Sequence, residues 1–234
     1  MITVYEFSPP LLLGRLERRY QRFLADITLD AGPTITAHCP NTGPMTGVCQ
    51  PGSRVAVSWH GQGRRKLPYT WDLIEVGGVW VGINTALPNR VLGFGLEQGW
   101  FPHWSNLRAI EREVPYGNSR LDFCLTLADR SQVYLEVKNT TWCQGSLALF
   151  PDTVTTRGQK HLRQLTQMAQ VGIRTALVYF IHRGDCDAFA PGTLRDPEYG
   201  RLFQEAVAAG VEVYPYRFQV SPVGISYLGL ASLG

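Results

Sequence analysis

Glu136 and Lys138 stand two residues apart in VYLEVKNTT, residues 133–141. Val133, Leu135 and Val137 alternate there with Tyr134, Glu136 and Lys138, the period-2 pattern of a strand with one apolar face. A carboxylate and an ammonium therefore leave one face together. Upstream, RLDFCLTL (120–127) puts Leu121, Phe123, Leu125 and Leu127 on one face and Asp122 on the other. If the two segments form a hairpin with Leu127 opposite Ser131, Asp122 faces Glu136 across the ladder. Facing side chains lie roughly 5 Å apart, and like charges at that spacing destabilise the pair. Lys138 offers one compensating charge; a divalent cation offers two and takes hard oxygen ligands at short range. Such a metal activates water and stabilises charge on a phosphoryl oxygen, with Lys138 positioning or deprotonating the nucleophile. That is the chemistry of phosphodiester cleavage. The competing reading is a strand edge carrying two solvated charges.

Several elements have to position this pair. LRAIERE (107–113) reads as a short helix leading into the hairpin, and Glu111 or Glu113 at its end could bring a third carboxylate. TRGQKHLRQLTQMAQVG (156–172) reads as a helix with Leu162, Leu165 and Ala169 on one stripe and Gly172 as its stop. The order after about residue 85 is helix, two strands, a loop with room for a third, then helix, strand, helix, strand. This predicts an α/β domain on a mixed sheet, over residues 85–234. Residues 1–84 read instead as short strands punctuated by PNTG, PGS and GQG, which suggests a small barrel or sandwich. LLLGRLERRYQRFLADITL (11–29) fits either an amphipathic helix or a strand pair bent at its arginines. The last residues, VGISYLGLASLG, read as a strand and a frayed tail.

The composition excludes several classes. At 234 residues with 44% hydrophobic and 18% charged residues the chain is globular and can bury a substantial core. Five cysteines, with no C-x-x-C spacing, argue against a disulfide framework and a structural zinc site. No window is apolar for long enough to span a membrane and no leader pattern opens the chain, so a cytoplasmic location is expected. The net charge of +3 is too small to demand nucleic acid by itself. Local clusters are more informative. Arg18, Arg19 and Arg22 interleave with Tyr20 and Phe23, and Arg64, Arg65 and Lys66 precede Tyr69 and Trp71, a mixture of phosphate-binding cations and base-stacking rings. A solvated charge run beside core aromatics explains the same pattern. Lysine is rare, occurring only at positions 66, 138 and 160.

The Asp122…Glu136-Val137-Lys138 pattern resembles the PD-(D/E)xK nuclease superfamily, although Leu121 stands where that pattern has proline. A longer set of segments, RRYQRFLADI, HCPNTGPMTG, KLPYTWDL, EVPYGNSRLDF, LEVKNTT and FPDTVTTRGQKHLRQL, resembles the sugar fermentation stimulation protein family (SfsA) over nearly the whole chain. The resemblance implies an N-terminal OB-like β-barrel, a C-terminal restriction-endonuclease-like α/β domain, and DNA as partner, single-stranded or as structured duplex. It implies Asp122, Glu136 and Glu113 as ligands of Mg2+ or Mn2+, Lys138 as the catalytic lysine, and Gln159 as a supporting polar residue. Arg19, Arg22, Arg64, Arg65, Lys66, Arg157 and Lys160 are the expected nucleic-acid contacts. It is compatible with a homodimer, and with an alternative in which the protein regulates sugar-metabolism genes through DNA binding and the nuclease-like site is vestigial.

Overall fold

The computed structural model describes residues 3–61, 65–117 and 119–234. Five strands, β2 (Leu12–Tyr20), β3 (Leu24–Leu29), β4 (Thr34–His38), β5 (Arg54–Trp59) and β6 (Tyr69–Val76), form an antiparallel series in the order β4-β3-β2-β5-β6. A short parallel pairing of Ala37 and His38 with Tyr69 and Thr70 closes that series into a barrel. Closure removes the free strand edges, and alternate residues such as Leu16, Ala25, Ile27, Val55, Val57 and Trp71 fill the interior. The arginine-rich segment is therefore the bent strand pair and not the helix. Gln21 and Arg22 turn it with φ of 49° and 66°. β7 (Val79–Gly82) pairs with the end of β6 and leads into α1 (Leu87–Glu97).

The rest of the chain builds a seven-stranded mixed sheet. Its members are β8 (Leu107–Tyr116), β9 (Ser119–Leu127), β10 (Gln132–Thr140), β13 (Arg174–Ile181), β15 (Glu212–Ser221), β16 (Gly224–Leu230) and, at the far edge, β1 (Thr3–Glu6). β10, β13 and β15 run parallel, joined by crossovers through α2 (Thr156–Gln170) and α3 (Pro197–Ala208). A second, four-stranded sheet of β11 (Trp142–Gln144), β12 (Leu147–Phe150), β14 (Ala188–Pro191) and β17 (Ser232–Leu233) packs beside them, so the expected frayed tail is paired. One face of the large sheet packs Val133, Leu135, Val178 and Phe180 against α1 and the barrel residues Ala56 and Leu73. The other packs Leu177, Tyr179 and Ile181 against Leu162, Leu165 and Met168 of α2 and Leu202 and Phe203 of α3. Gly172, at φ +82°, ends α2 as its position suggests, and Thr155 Oγ1 caps the start by accepting from the Gly158 N–H at 3.1 Å.

Two segments differ from expectation. Residues 107–113 are strand, not helix: Leu107, Ile110 and Val114 are spaced by three and four because the β8–β9 register shifts between Leu107 and Ala109, which breaks the alternation. Thr3–Glu6, expected with the N-terminal unit, pairs instead with β16. The expected hairpin register is present, with Gln132 opposite Thr126 and Leu135 opposite Phe123. No helix is long and apolar enough to cross a membrane.

Candidate active site

Beyond the Leu135–Phe123 pair the ladder between β9 and β10 gives way to a side chain. Asp122 Oδ2 accepts the Val137 N–H at 2.7 Å, and Asp122 Oδ1 accepts from Asn89 Nδ2 of α1 at 2.6 Å. Glu113 stands at the same level on β8, since Arg112 faces Phe123 and Val114 faces Leu121. Extended one residue past its last pair, the β9–β10 register brings Glu136 to the level of Asp122, so Glu113, Asp122 and Glu136 form one row across three adjacent strands. Glu113 holds a backbone φ of 54°, is exposed, and lies 3.4 Å from Arg120 Nη1 through Oε2.

Glu136 and Lys138 are no solvated edge. Their face of β10 is covered by α2, and they retain only 3% and 8% of their exposure. Lys138 Nζ donates to Glu136 Oε1 at 2.6 Å. His161 of α2, 4% exposed, brings Nδ1 against the same carboxylate oxygen and within 3.0 Å of Lys138 Nζ. A ring nitrogen serves one of these at a time: with a proton it donates to Glu136, without one it accepts from Lys138. Glu136 Oε2 is buried and, among the described residues, has no hydrogen-bond partner. An unsatisfied buried carboxylate oxygen is costly, and in native proteins such atoms coincide with sites for water, ions or chemistry.

The electrostatics separate the two acids. Burial, and then the charge on Glu136, push the Asp122 carboxyl up to about 6. Burial acts on Glu136 in the same direction, but Lys138 and His161 outweigh it and hold that carboxyl below its ordinary value. Glu113, Asp122 and His161 line a depression of about 370 Å3 whose remaining wall includes Arg120, Arg157 and Lys160. Lys138 also lines a second pocket of about 270 Å3, with Asn139, Trp142, Asp152 and, from the barrel side, Asn41 and Thr85. Among the described residues no group of three or more His, Cys, Asp and Glu side chains converges closely enough to form a finished metal cage. Two neighbouring carboxylates, one with a buried oxygen that no described residue satisfies, are nevertheless the donor set that a hard cation takes.

Family profiles match both halves of the chain: "SfsA N-terminal OB domain" over residues 18–83 and "Sugar fermentation stimulation protein RE domain" over 86–224. The chain belongs to the sugar fermentation stimulation protein family. SfsA homologs of Synechococcus sp. (strain JA-2-3B'a(2-13)) and Synechococcus elongatus are 60% and 61% identical to it over 229 residues, covering 98% and 96% of this chain and 95% and 96% of their own. Pyrococcus furiosus SfsA, solved in complex with Ca2+, superposes with a TM-score of 0.92 at 26% identity and 100% coverage of both chains. The fold of an SfsA protein, an OB-like barrel joined to a mixed α/β domain, is therefore established here.

The expected nucleic-acid contacts of this SfsA chain fall into distinct groups. Arg157 and Lys160 are exposed on the first turns of α2 beside the carboxylate row. Arg65 and Lys66 are exposed on a separate cleft; Arg64 lies outside the described residues. Arg19 is engaged within the protein: its guanidinium donates to the carbonyls of Arg22, Asn41 and Gly43 at 2.7–3.1 Å. Arg22 Nε donates to the Thr42 carbonyl at 2.9 Å. Both brace the loop after β4, a tertiary contact that no local pattern announces. Gln159 turns away from the carboxylates and donates to Asp196, the N-cap of α3, at 2.9 and 3.1 Å. His161 is the residue of α2 that meets the row instead. From sequence His161 reads, beside Gln159 and Lys160 in the same helix, as a histidine that is only hydrogen-bonded, although it sits on the apolar stripe with Leu165, four residues on. Asn89 was also missed, because nothing near it in sequence links α1 to β9.

Proposed function

We propose that this protein is a divalent-metal-dependent DNA nuclease that hydrolyses phosphodiester bonds at the row of Glu113, Asp122 and Glu136. One arrangement supports the reading: Asp122 reaches across to the Val137 N–H beside Glu136, whose Oε2 is buried and, among the described residues, without a hydrogen-bond partner, and Lys138 is next on the same face. Asp122 and Glu136, with Glu113 at the rim, are the residues that would hold Mg2+ or Mn2+, which supplies Lewis acidity and an activated water. The Ca2+ complex of Pyrococcus furiosus SfsA supports a hard divalent cation in this family. Asn89 and the Val137 N–H orient Asp122. Lys138 Nζ, between Glu136 and the second pocket, is placed to hold an attacking water and to stabilise phosphoryl charge. Arg120, Arg157 and Lys160 offer cations to the flanking phosphates.

The alternative, a DNA-binding regulator with a vestigial site, draws on the same trio: Lys138 and His161 already engage Glu136 Oε1. The deciding experiment incubates the protein with labelled single-stranded, duplex and flap DNA in Mg2+, Mn2+ or EDTA, alongside Asp122→Ala and Lys138→Ala. Cleavage that requires metal and disappears in both variants supports the nuclease. Binding without cleavage on every substrate establishes the regulator.

A further inference from the structure

A cleft of about 750 Å3 lies away from the carboxylate row, where the barrel meets α1 and the segment after β1. It combines three kinds of wall. Trp59 and Phe23, 49% and 45% exposed, present aromatic surface to it. Arg65, Lys66 and Arg90 rim it, against one carboxylate, Asp72. Among the described residues Arg65 and Lys66 make no ion pair or hydrogen bond. Its floor is polar and prearranged: Asp72 accepts from the Ser58 N–H at 2.8 Å and from Asn84 Nδ2 at 2.7 Å, and His60 Nε2 lies 3.1 and 3.0 Å from the hydroxyls of Ser58 and Thr70.

Rings, cations and a hydrogen-bonding floor in one concavity match a particular chemistry. A planar heterocycle stacks on the aromatic surface, its edge meets hydroxyls and imidazole, and its phosphates meet the cations. A duplex keeps its bases stacked inside and offers none to such a cleft. The cleft also leads to the active site. Pro40, Asn84 and Ala86 line it, while their neighbours Asn41 and Thr85 line the pocket that contains Lys138. Thr85 Oγ1 donates to the Pro40 carbonyl at 3.3 Å, joining the two segments into one ridge between cleft and pocket.

We propose that this cleft binds an unpaired nucleobase, and that the strand carrying it crosses the ridge to Lys138 and the carboxylate row, making DNA with a single-stranded segment the substrate. The statement about cutting rests on the nuclease reading; the statement about binding does not.

The test therefore measures binding in EDTA. A labelled short oligothymidylate, an abasic strand of equal length and a duplex of the same length are titrated with the protein and with Trp59→Ala, Phe23→Ala and Asp122→Asn. Oligothymidylate is expected to bind about tenfold tighter than the abasic strand, the scale of one good base-stacking contact. Trp59→Ala and Phe23→Ala, at exposed positions that leave the melting temperature in place, should each erase most of that preference, and Asp122→Asn should keep it. Equal affinity for thymidylate and abasic strands, or tighter duplex binding unchanged by both aromatic variants, overturns the proposal. Base-dependent binding without cleavage in Mg2+ or Mn2+ upholds the cleft and sinks the nuclease reading alone.

Discussion

Asn89 Nδ2, on α1, is 2.6 Å from Asp122 Oδ1, on β9, and holds the acid whose other oxygen takes the Val137 N–H. A helix that follows the barrel in sequence therefore sets the rotamer of a carboxylate in the sheet. Asn89→Ala should leave the fold in place and lower metal-dependent cleavage by about 10- to 100-fold, the usual effect of removing a hydrogen bond to a ligand side chain. Cleavage kinetics measured beside a thermal melt check this; unchanged kinetics would show that Asp122 needs no such support.

Asp122 gives the protein a pH-dependent liability. Its folded carboxyl titrates near 6, above the unfolded value of about 4. Between those values the folded state binds the extra proton, so this group's contribution to stability falls as pH rises through the window and is fully unfavourable above it. Asp122→Asn removes the charge and should raise stability by ~2–3 kcal/mol above pH 7. The advantage should shrink toward pH 4. Chemical denaturation of both proteins at several pH values provides the measurement, and an advantage that does not change with pH refutes the titration.

The pair beneath α2 behaves differently, because its charges already compensate each other. Lys138→Met strands the Glu136 carboxylate under the helix and should cost ~3–5 kcal/mol, the penalty for breaking a buried ion pair from one side. Adding Glu136→Gln should return much of that loss, with no return of cleavage. A double-mutant cycle in urea reads both numbers, and additive losses would show that the two side chains do not interact.

Arg19 should act through the loop it clamps. Arg19→Met removes donors to three carbonyls and is expected to cost ~1–3 kcal/mol. Amide exchange should speed up at Gly43, whose N–H donates to Asn41 Oδ1 at 3.0 Å. If the exchange at Gly43 stays slow, the guanidinium is not what orders the loop.

Gly82 marks the seam between barrel and sheet. Its N–H donates to the His182 carbonyl at 2.9 Å, and a Cβ there would lie 2.0 Å from the His182 ring. Gly82→Ala should therefore destabilise by at least ~3 kcal/mol, at the upper end for overpacking, because ring and backbone are both fixed. A melting temperature equal to wild type would mean the seam can open to admit a methyl group.

The parts of this site that were legible from sequence depend on strictly local order. Alternation on β10 sets its two faces and the register of the hairpin as far as Leu135 and Phe123, since a one-residue slip would invert every side chain; on β9 it breaks at Asp122, because Leu121 packs with α2 whereas Phe123 and Leu125 pack on the α1 face. Glu113 was placed near the row but on the wrong element, because the irregular β8 register imitates helical spacing in its apolar residues. The roles of Arg19, Arg22, Asn89, Gln159 and His161 are set by partners 20 or more residues away, or by a side-chain turn that no period encodes.

The pairing of β1 with β16 has a consequence for how the protein is made. The barrel strands emerge from the ribosome early and can close among themselves, whereas Thr3–Glu6 must wait for a partner more than 200 residues further along the chain. At ordinary elongation rates that delay is roughly 10 to 50 s. The large sheet therefore gains its far edge strand only after β16 has emerged, so a product stalled before that point would hold a closed barrel beside an incomplete sheet.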